Sequence, residues 1–491
     1  MNGCFLCLPV FLPIIAGVIG YFLPFSARSL KNRHLYFGTV ISLTTVLTWL
    51  ALFLCGKEPF SLLRFSDTLS ITFALDGAGR IFAGLSSALW PVTAVYAFDY
   101  MRHYMEENRH LNTFWAFFTM AFGVTLGIAF AADMMTMYLF YELLTLVTLP
   151  LVMFVMGKKS IHAGKKYLLY SMSGAALAFI GLAFLITQGA HTFTNGGHLA
   201  SYGGNMALLQ TVFALAFAGF GVKAALWPLH DWLPSAAVAP TPVTALLHAV
   251  AVVKAGAFAC IRLIYYTFGP EVLRDTWAQY LTMGLAIFTI VYGSAMALKQ
   301  EHFKRRLAYS TISNLSYILF AATLMTQNGL LAAYSHLIVH SVIKILCFFV
   351  AGAVLHYTKR EFLDELDGLG RKMPVTFACF TVGACALTGI PPLNGFVSKW
   401  YIALGAVENG NWLSMIGLGA VLLSALFTAI YMFEVVIFAW FPRKGTLLPA
   451  DGKEASALMW VPMALLAVLC LIMGLMPGFW LEFLEKAVMW G

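Results

Sequence analysis

Charge is what this chain has least of. Only 11% of its 491 residues are Asp, Glu, Lys or Arg, while 60% are hydrophobic. Soluble domains average about 25% charged and about 45–50% apolar, so the deficit excludes a soluble globular protein and implies many membrane spans. No stretch is polar enough to form a soluble domain. Metal and redox motifs are lacking too. The eight cysteines show no paired ligand spacing, and Cys4-Phe5-Leu6-Cys7 is a lone CxxC in an apolar run. No Gly-x-Gly-x-x-Gly follows a strand, and no haem or iron–sulfur ligand pattern is present. The sequence therefore offers no catalytic, metal-ligating or cofactor-binding residues, and no cofactor is expected in this chain. The N-terminus has neither a basic leader region nor an obvious small-residue cleavage site, and reads as a first span.

What is present is a series of about fourteen apolar runs, each long enough to cross a bilayer at about 20 residues per span. They extend from 3–24 to 458–480 and include 240–267, 306–327 and 375–403. The segment 60–74 reads as interfacial or loop-like, and 188–205 as a polar loop. An excess of basic over acidic residues can mark nucleic-acid binding, but here the basic residues are scattered through short loops. Odd-numbered loops hold most of them, among them Arg28, Lys31, Arg33, Arg102, Arg109, Lys158, Lys159, Lys299, Lys304, Arg305, Arg306, Arg443 and Lys444. The other side has only Lys57, Arg64, Arg80, Arg262, Arg274 and Lys486. By the positive-inside rule the odd loops are cytoplasmic and both termini face away from the cytoplasm, in a cell inner (plasma) membrane.

Lys223, Lys254, Lys344 and Lys399 remain inside spans. A charged side chain at the bilayer centre costs about 2.5–3.5 kcal/mol on insertion scales, which makes such residues functional candidates. Lys223 follows Gly219 and Gly221 and precedes Pro228, so its helix is expected to break beside it. Lys399 lies in a second interrupted span, after Gly389-Ile390-Pro391-Pro392. Broken helices are tolerated at membrane depth only where protein or a water-filled cavity surrounds them. Two of them, in opposite orientations, are the pattern of an inverted-repeat transporter.

Glu142 sits mid-span in the fifth run. A lone intramembrane Glu could be a protonated structural group, but with unpaired lysines in the same bundle an ion pair is favoured. A pair whose separation changes is a proton valve in principle. His336, His340 and Lys344 recur at i, i+4 and i+8, on one helical face, and histidine titrates near neutrality, so the ladder suits proton hopping. That face carries no third His or Cys for a metal. His248 and Lys254 share a run but lie about 120° apart on an ideal helix. Either a local bulge brings them to one face or only one joins the path. His230 and Asp231 are candidates for access to the path or for helix capping, Glu434 for an exit carboxylate, and Asp133 for a helix cap.

These residues resemble the antiporter-like membrane subunits shared by respiratory complex I, Mrp-type cation/proton antiporters and membrane-bound hydrogenases or formate hydrogenlyases. The resemblance runs from about residue 70 to 440. It is carried by Tyr141-Glu142-Leu143, Val222-Lys223 through Trp232-Leu233-Pro234, Ala239-Pro240-Thr241-Pro242-Val243 through His248, and Lys304 through Ser313. His336 with His340 and Lys344, and Gly389-Ile390-Pro391-Pro392 with Gly395 and Lys399, complete it. It implies an all-α polytopic fold with two inverted five-helix repeats: helices 1–3 in residues 1–110, the repeats in 111–270 and 275–441, and a last helix in 455–491. It further implies that Glu142 and Lys223 form the coupled pair of the first half-channel. Lys254 and His248 would then be a central relay, His336, His340 and Lys344 the link onward, and Lys399 the terminal lysine. The expected function is proton (or Na⁺/H⁺) translocation as a non-catalytic subunit of a membrane complex, with hydrophobic and redox (Fe–S) subunits as partners. The alternative is a subunit of a stand-alone Mrp-type antiporter. Some family members carry Glu where this chain has Lys399; the lysine leans toward the large complex I and Mrp subunits. The short stretch after the last run leaves no room for the lateral helix or extra domain of those, which keeps a hydrogenase-type or Mrp D-like subunit open.

Overall fold

In hydrocarbon a backbone amide finds no water, so each apolar run must satisfy its own polar groups by coiling into a helix. The computed structural model describes residues 3–25, 30–66, 69–102, 104, 111–189, 192–443 and 453–488. Arg28, Arg109 and Lys444, placed above in cytoplasmic loops, lie outside the described residues. The first helices are α1 (Cys7–Phe22), α2 (Leu30–Leu54), α3 (Gly77–Tyr100), α4 (Leu111–Ala129), α5 (Met134–Val152), α6 (Lys158–Thr187) and α7 (Met206–Lys223). Then come α8 (Trp232–Ala236), α9 (Thr241–Ala249), α10 (Val252–Arg262), a π-helical turn (Leu263–Phe268) and α11 (Pro270–Leu273). The rest are α12 (Trp277–Leu298), α13 (Phe303–Thr323), α14 (Gln327–Thr358), α15 (Pro374–Thr388), α16 (Asn394–Asn409), α17 (Trp412–Trp440), α18 (Ala457–Leu475) and α19 (Gly478–Val488).

Among the described residues twelve helical segments are long and apolar enough to cross a membrane, fewer than the expected count of about fourteen. The difference has two causes. The 306–327 run forms α13, whose Lys304, Arg305, Arg306, serines and Asn314 make it too polar to qualify, although nearly all of it is buried in the bundle. The 375–403 run is divided into α15 and α16, each shorter than a bilayer.

Burial sorts the helices into a centre and a rim. Every residue of 241–268 is buried, and so is 94% of the most apolar stretch of α14, against 33–39% in α1, α2, α17 and α18. The two buried segments carry His248, Lys254, His336, His340 and Lys344, so the ionisable residues lie where lipid cannot reach. The 60–74 segment is not a loop. It forms an antiparallel hairpin, β1 (Phe60–Arg64) with β2 (Ser70–Phe73), and β2 bonds onward to 130–132 through Ala74 N to Phe130 O (2.8 Å) and Ala132 N to Thr72 O (3.0 Å). Phe193 N adds a third segment by donating to Ala132 O at 3.0 Å. This small cap satisfies backbone that the ends of α4 and α5 would otherwise leave bare.

Candidate functional site

The stretch around Lys223 folds as its glycines and prolines demand. α7 stops at Lys223, Ala225 turns left-handed (φ 56°), and Leu226 N donates back to Gly221 O at 2.9 Å. The freed carbonyl of Val222 accepts from the Trp232 indole N–H at 2.8 Å. Gly256 of α10 makes this possible, because a Cβ there would lie 2.5 Å from Ala224 N and 2.8 Å from Lys223 C. Lys223 is 1% exposed, and its ammonium donates to the backbone carbonyl of Tyr141, lies 3.4 Å from the Tyr141 ring centroid and reaches Glu142 Oε1 at 3.5 Å. Being the last residue of α7, it also sits at the negative end of its own helix dipole. Glu142 is 28% exposed, so the pair joins the interior to the outer face of α5.

The interruption between His248 and Lys254 is real. α9 ends at Ala249, α10 begins at Val252, and both Val250 N and Ala251 N bond to Leu246 O, at 3.0 and 2.9 Å. Both residues then face α14: Lys254 Nζ lies 2.5 Å from His340 Nδ1, and the His248 ring is 4.8 Å from that of Phe348. Neither nitrogen of His248 has a protein hydrogen-bond partner among the described residues.

From His340 the line continues along α14. The His340 and His336 rings stack at 5.8 Å, and His336 Nδ1 lies 2.9 Å from Ser398 Oγ, beside Lys399. Tyr317 fills the space between, 5.2 Å from the His336 ring and 5.6 Å from Lys399 Nζ. Lys399 donates to the carbonyls of Leu387 and Thr388, each at 2.8 Å. Those carbonyls belong to the last turn of α15, which has no intrahelical partner for them. Gly389 ends that turn in the left-handed region (φ 93°), where its lack of a Cβ is needed. Lys344 leaves the ladder: it bonds to Leu307 O (3.1 Å) and Ser310 Oγ (2.7 Å) of α13, and Ser310 also receives the Tyr431 hydroxyl at 2.7 Å.

The peripheral candidates are differently placed. Asp231 makes no side-chain cap for α8 and pairs instead with Lys166, so its capping alternative is not realised; His230 is buried against Tyr292 at 4.9 Å. Asp133 does cap α5, accepting from Thr136 N at 2.6 Å. Glu434 is bound by Arg306 at 2.5 Å. Four basic residues assigned to loops by topology are in fact buried: Arg33, whose Nε donates to Asn112 Oδ1 at 2.7 Å, Arg306, Lys304 (3.5 Å from Ala239 O) and Arg262, which forms a two-armed ion pair with Asp76. Each ends an apolar run, and end residues of a run read as loop; their partners come from distant segments.

Interrupted helices, a Glu–Lys pair and a set of buried lysines and histidines define a polytopic α-helical membrane protein with a charged interior. Residues 131–428 match the family described as NADH:quinone oxidoreductase/Mrp antiporter, TM, and the chain belongs to that family. The residues from Glu142 to Lys399 fall inside the match; Glu434 falls outside it. The chain is 30% identical over 395 residues to NADH-quinone oxidoreductase subunit N of Desulforudis audaxviator, covering 78% of this chain and 77% of that protein. It is 28% identical over 499 residues to Na(+)/H(+) antiporter subunit A1 of Staphylococcus haemolyticus, covering 96% of this chain but 60% of that longer protein. The fold is similar to a chain of an archaeal membrane-bound sulfane sulfur reductase (TM-score 0.85, 24% identity, 98% and 96% of the two chains). It is likewise similar to a chain of respiratory complex I from Thermus thermophilus (TM-score 0.81, 24% identity, 98% of each chain). The resemblance that the sequence motifs carry thus holds.

Proposed function

We propose that this protein translocates protons along the buried line Glu142–Lys223, Lys254–His340–His336, Lys399, as a non-catalytic subunit of a multisubunit membrane complex. The observation that carries the reading is the Lys254–His340 contact at 2.5 Å. An amine and an imidazole at that distance are hydrogen-bonded, and they join α10 to α14, two helices that are buried almost throughout. His340 Nε2 and His336 Nε2 have no protein partner among the described residues, which leaves each ring a second nitrogen for relay. His248 extends the relay beside Lys254. Lys344 with Ser310 and Tyr431 forms a branch toward α17, where Glu434 pairs with Arg306 of α13, and His230 with Asp231 and Lys166 lies near the cytoplasmic access. In this reading a push from partner subunits, redox or ion-driven, changes the Glu142–Lys223 separation and sends a proton toward Lys399.

The finer architecture belongs to the same proposal. Residues 111–270 and 275–441 are read as two inverted five-helix repeats, preceded by helices in 1–110 and followed in 455–491 by one span, α18, and the short α19, where the sequence suggested a single helix. With α13 and the α15–α16 pair each crossing once, the spans number about fourteen, and both termini lie on the non-cytoplasmic side of the inner membrane. Hydrophobic subunits, some attached to Fe–S proteins, are the expected partners, and this chain itself binds no cofactor. Glu142→Gln tests the coupled pair. It keeps the side-chain volume and removes the charge, so proton transport by the complex in vesicles is expected to fall about tenfold or more with assembly intact; undiminished transport would remove Glu142 from the path.

A second reading, a subunit of an Mrp-type Na⁺/H⁺ antiporter, is favoured by the alignment of 96% of this chain with the staphylococcal antiporter subunit. It predicts proton movement that requires Na⁺ on the opposite side. Transport that is unchanged when choline replaces Na⁺ would eliminate it.

A further inference from the structure

The side of the molecule that is rich in basic residues holds a cluster the proton line does not use. Lys31, His34 and Leu35 of α2 and Arg102, just past the end of α3, line one cleft of about 500 Å³. Lys31 and Arg102 are exposed. His34 is half-buried, with its ring 4.6 Å from that of Phe98 and 5.7 Å from that of Trp115. It is thereby fixed in the wall, and it offers an N–H in either tautomer. One layer further in, Arg33 is 4% exposed; its Nε donates to Asn112 Oδ1 at 2.7 Å, and its Nη1 meets no protein partner among the described residues.

Little negative charge answers these cations. Arg102 Nη1 lies 3.4 Å from Asp99 Oδ1, a long contact for an ion pair. Asp99 Oδ2 is already taken by the Ser456 hydroxyl at 2.5 Å and the Tyr357 hydroxyl at 3.1 Å. Asp99 is the one carboxylate within 4.0 Å of Lys31, Arg33 or Arg102 among the described residues. Snorkelling accounts for a lone basic residue at the end of a span. It does not account for two residues from different helices lining one cleft, because like charges repel unless an anion lies between them.

The surface beyond the cleft selects the anion. α2 is a rim helix, with 33% of its most apolar stretch buried, and Leu35, Leu43, Val46, Leu50 and Phe53 are all exposed. At 3.6 residues per turn these five fall within about 80° of one another, and Lys31, one turn before Leu35, shares their face. From Leu35 to Val46 that face runs about 16 Å, close to the depth of one leaflet's hydrocarbon. We propose that the cleft binds the phosphate headgroup of an anionic phospholipid, held by Lys31, Arg102 and the His34 N–H, with an acyl chain along the exposed face of α2. Basic pockets between spans on the Lys- and Arg-rich side suit such headgroups. A zwitterionic lipid would bring its own ammonium against Lys31 and Arg102. A free phosphate would meet the same cations but leave the apolar face unused. The site is independent of the proton line.

The test places photoreactive benzoylphenylalanine at Leu35 in the full complex, reconstituted in vesicles of equal phosphatidylglycerol and phosphatidylcholine. Mass spectrometry identifies the cross-linked adduct. Phosphatidylglycerol is expected to be captured about tenfold or more over phosphatidylcholine, since each basic residue near the surface contributes about fivefold. With Lys31→Gln and Arg102→Gln combined, capture is expected to fall toward parity; if that variant does not accumulate, Lys31→Glu, at an exposed position, gives the same reading. Excess inorganic phosphate, compared with chloride at equal ionic strength, is expected to leave the preference unchanged. Equal capture of the two lipids by the parent complex overturns the proposal, as does a preference that survives the substitutions. Adducts with a neighbouring subunit would make the cleft a protein interface, and loss of the preference in phosphate would assign it to a soluble anion; either result also overturns the lipid site.

Discussion

Lys223→Ala is expected to insert and assemble but to reduce coupled proton transport about 100-fold, to the level of leak, because a buried ionisable residue of this kind is the carrier itself. Of the four lysines inside spans, Lys223 alone has a carboxylate within 4.0 Å among the described residues. The others rest on neutral acceptors: His340, Ser310 and the carbonyls of Leu307, Leu387 and Thr388. Lys223 is therefore where a change in one electrostatic contact acts on a proton. Lys223→Arg sharpens the test. Arginine keeps the positive charge but does not give up its proton in proteins, so it is expected to be as inactive as alanine. An active arginine variant would show that charge alone suffices. The cost to folding is modest, since the Tyr141 carbonyl already bonds within α5 and a lost partner costs about 1–3 kcal/mol.

Gly256→Val is expected to do more damage than any change of charge at the surface. The added Cβ would meet the backbone nitrogen of Ala224 at 2.5 Å and Lys223 Cβ at 3.0 Å, with no flexible side chain free to yield. α10 must then move away from the end of α7. Overpacking of this kind costs about 1–3 kcal/mol, occasionally more. The shift separates Lys223 from the helix that carries Lys254, so transport and thermal stability should fall together. Gly284 is the control, having nothing within 4 Å of its Cβ position, and Gly284→Ala should leave the melting temperature near the wild-type value. A Gly256→Val protein as stable and active as the parent would mean that the helix break is not held from this side.

Much of this was legible in the sequence because the cues are local. Gly219, Gly221 and Pro228 announce the end of α7, Gly389 through Pro392 the gap between α15 and α16, and Asp133 its cap. The spacing of His336 and His340 placed them on one face. The remainder depends on contacts between distant segments. Asp76 and Arg262 are 186 residues apart, and nothing beside either predicts the other. Lys344 shares the period of the histidines, yet its long stem turns to α13, since period fixes the root of a side chain and not its tip. The hairpin at 60–73 and its bonds to 130–132 are likewise tertiary. Asp231 stands at the head of α8, where a cap is expected, but Lys166 from α6 takes its carboxylate.

The central claim is that protons cross this subunit through the Lys254–His340 contact. The direct measurement is proton flux per turnover of the intact complex in sealed vesicles, for the wild type and for Lys254→Met side by side. Methionine retains the bulk in a fully buried site and cannot carry a proton. The account predicts an assembled complex in which the flux assigned to this subunit is lost. An assembled Lys254→Met complex that moves as many protons per turnover as the wild type would contradict it.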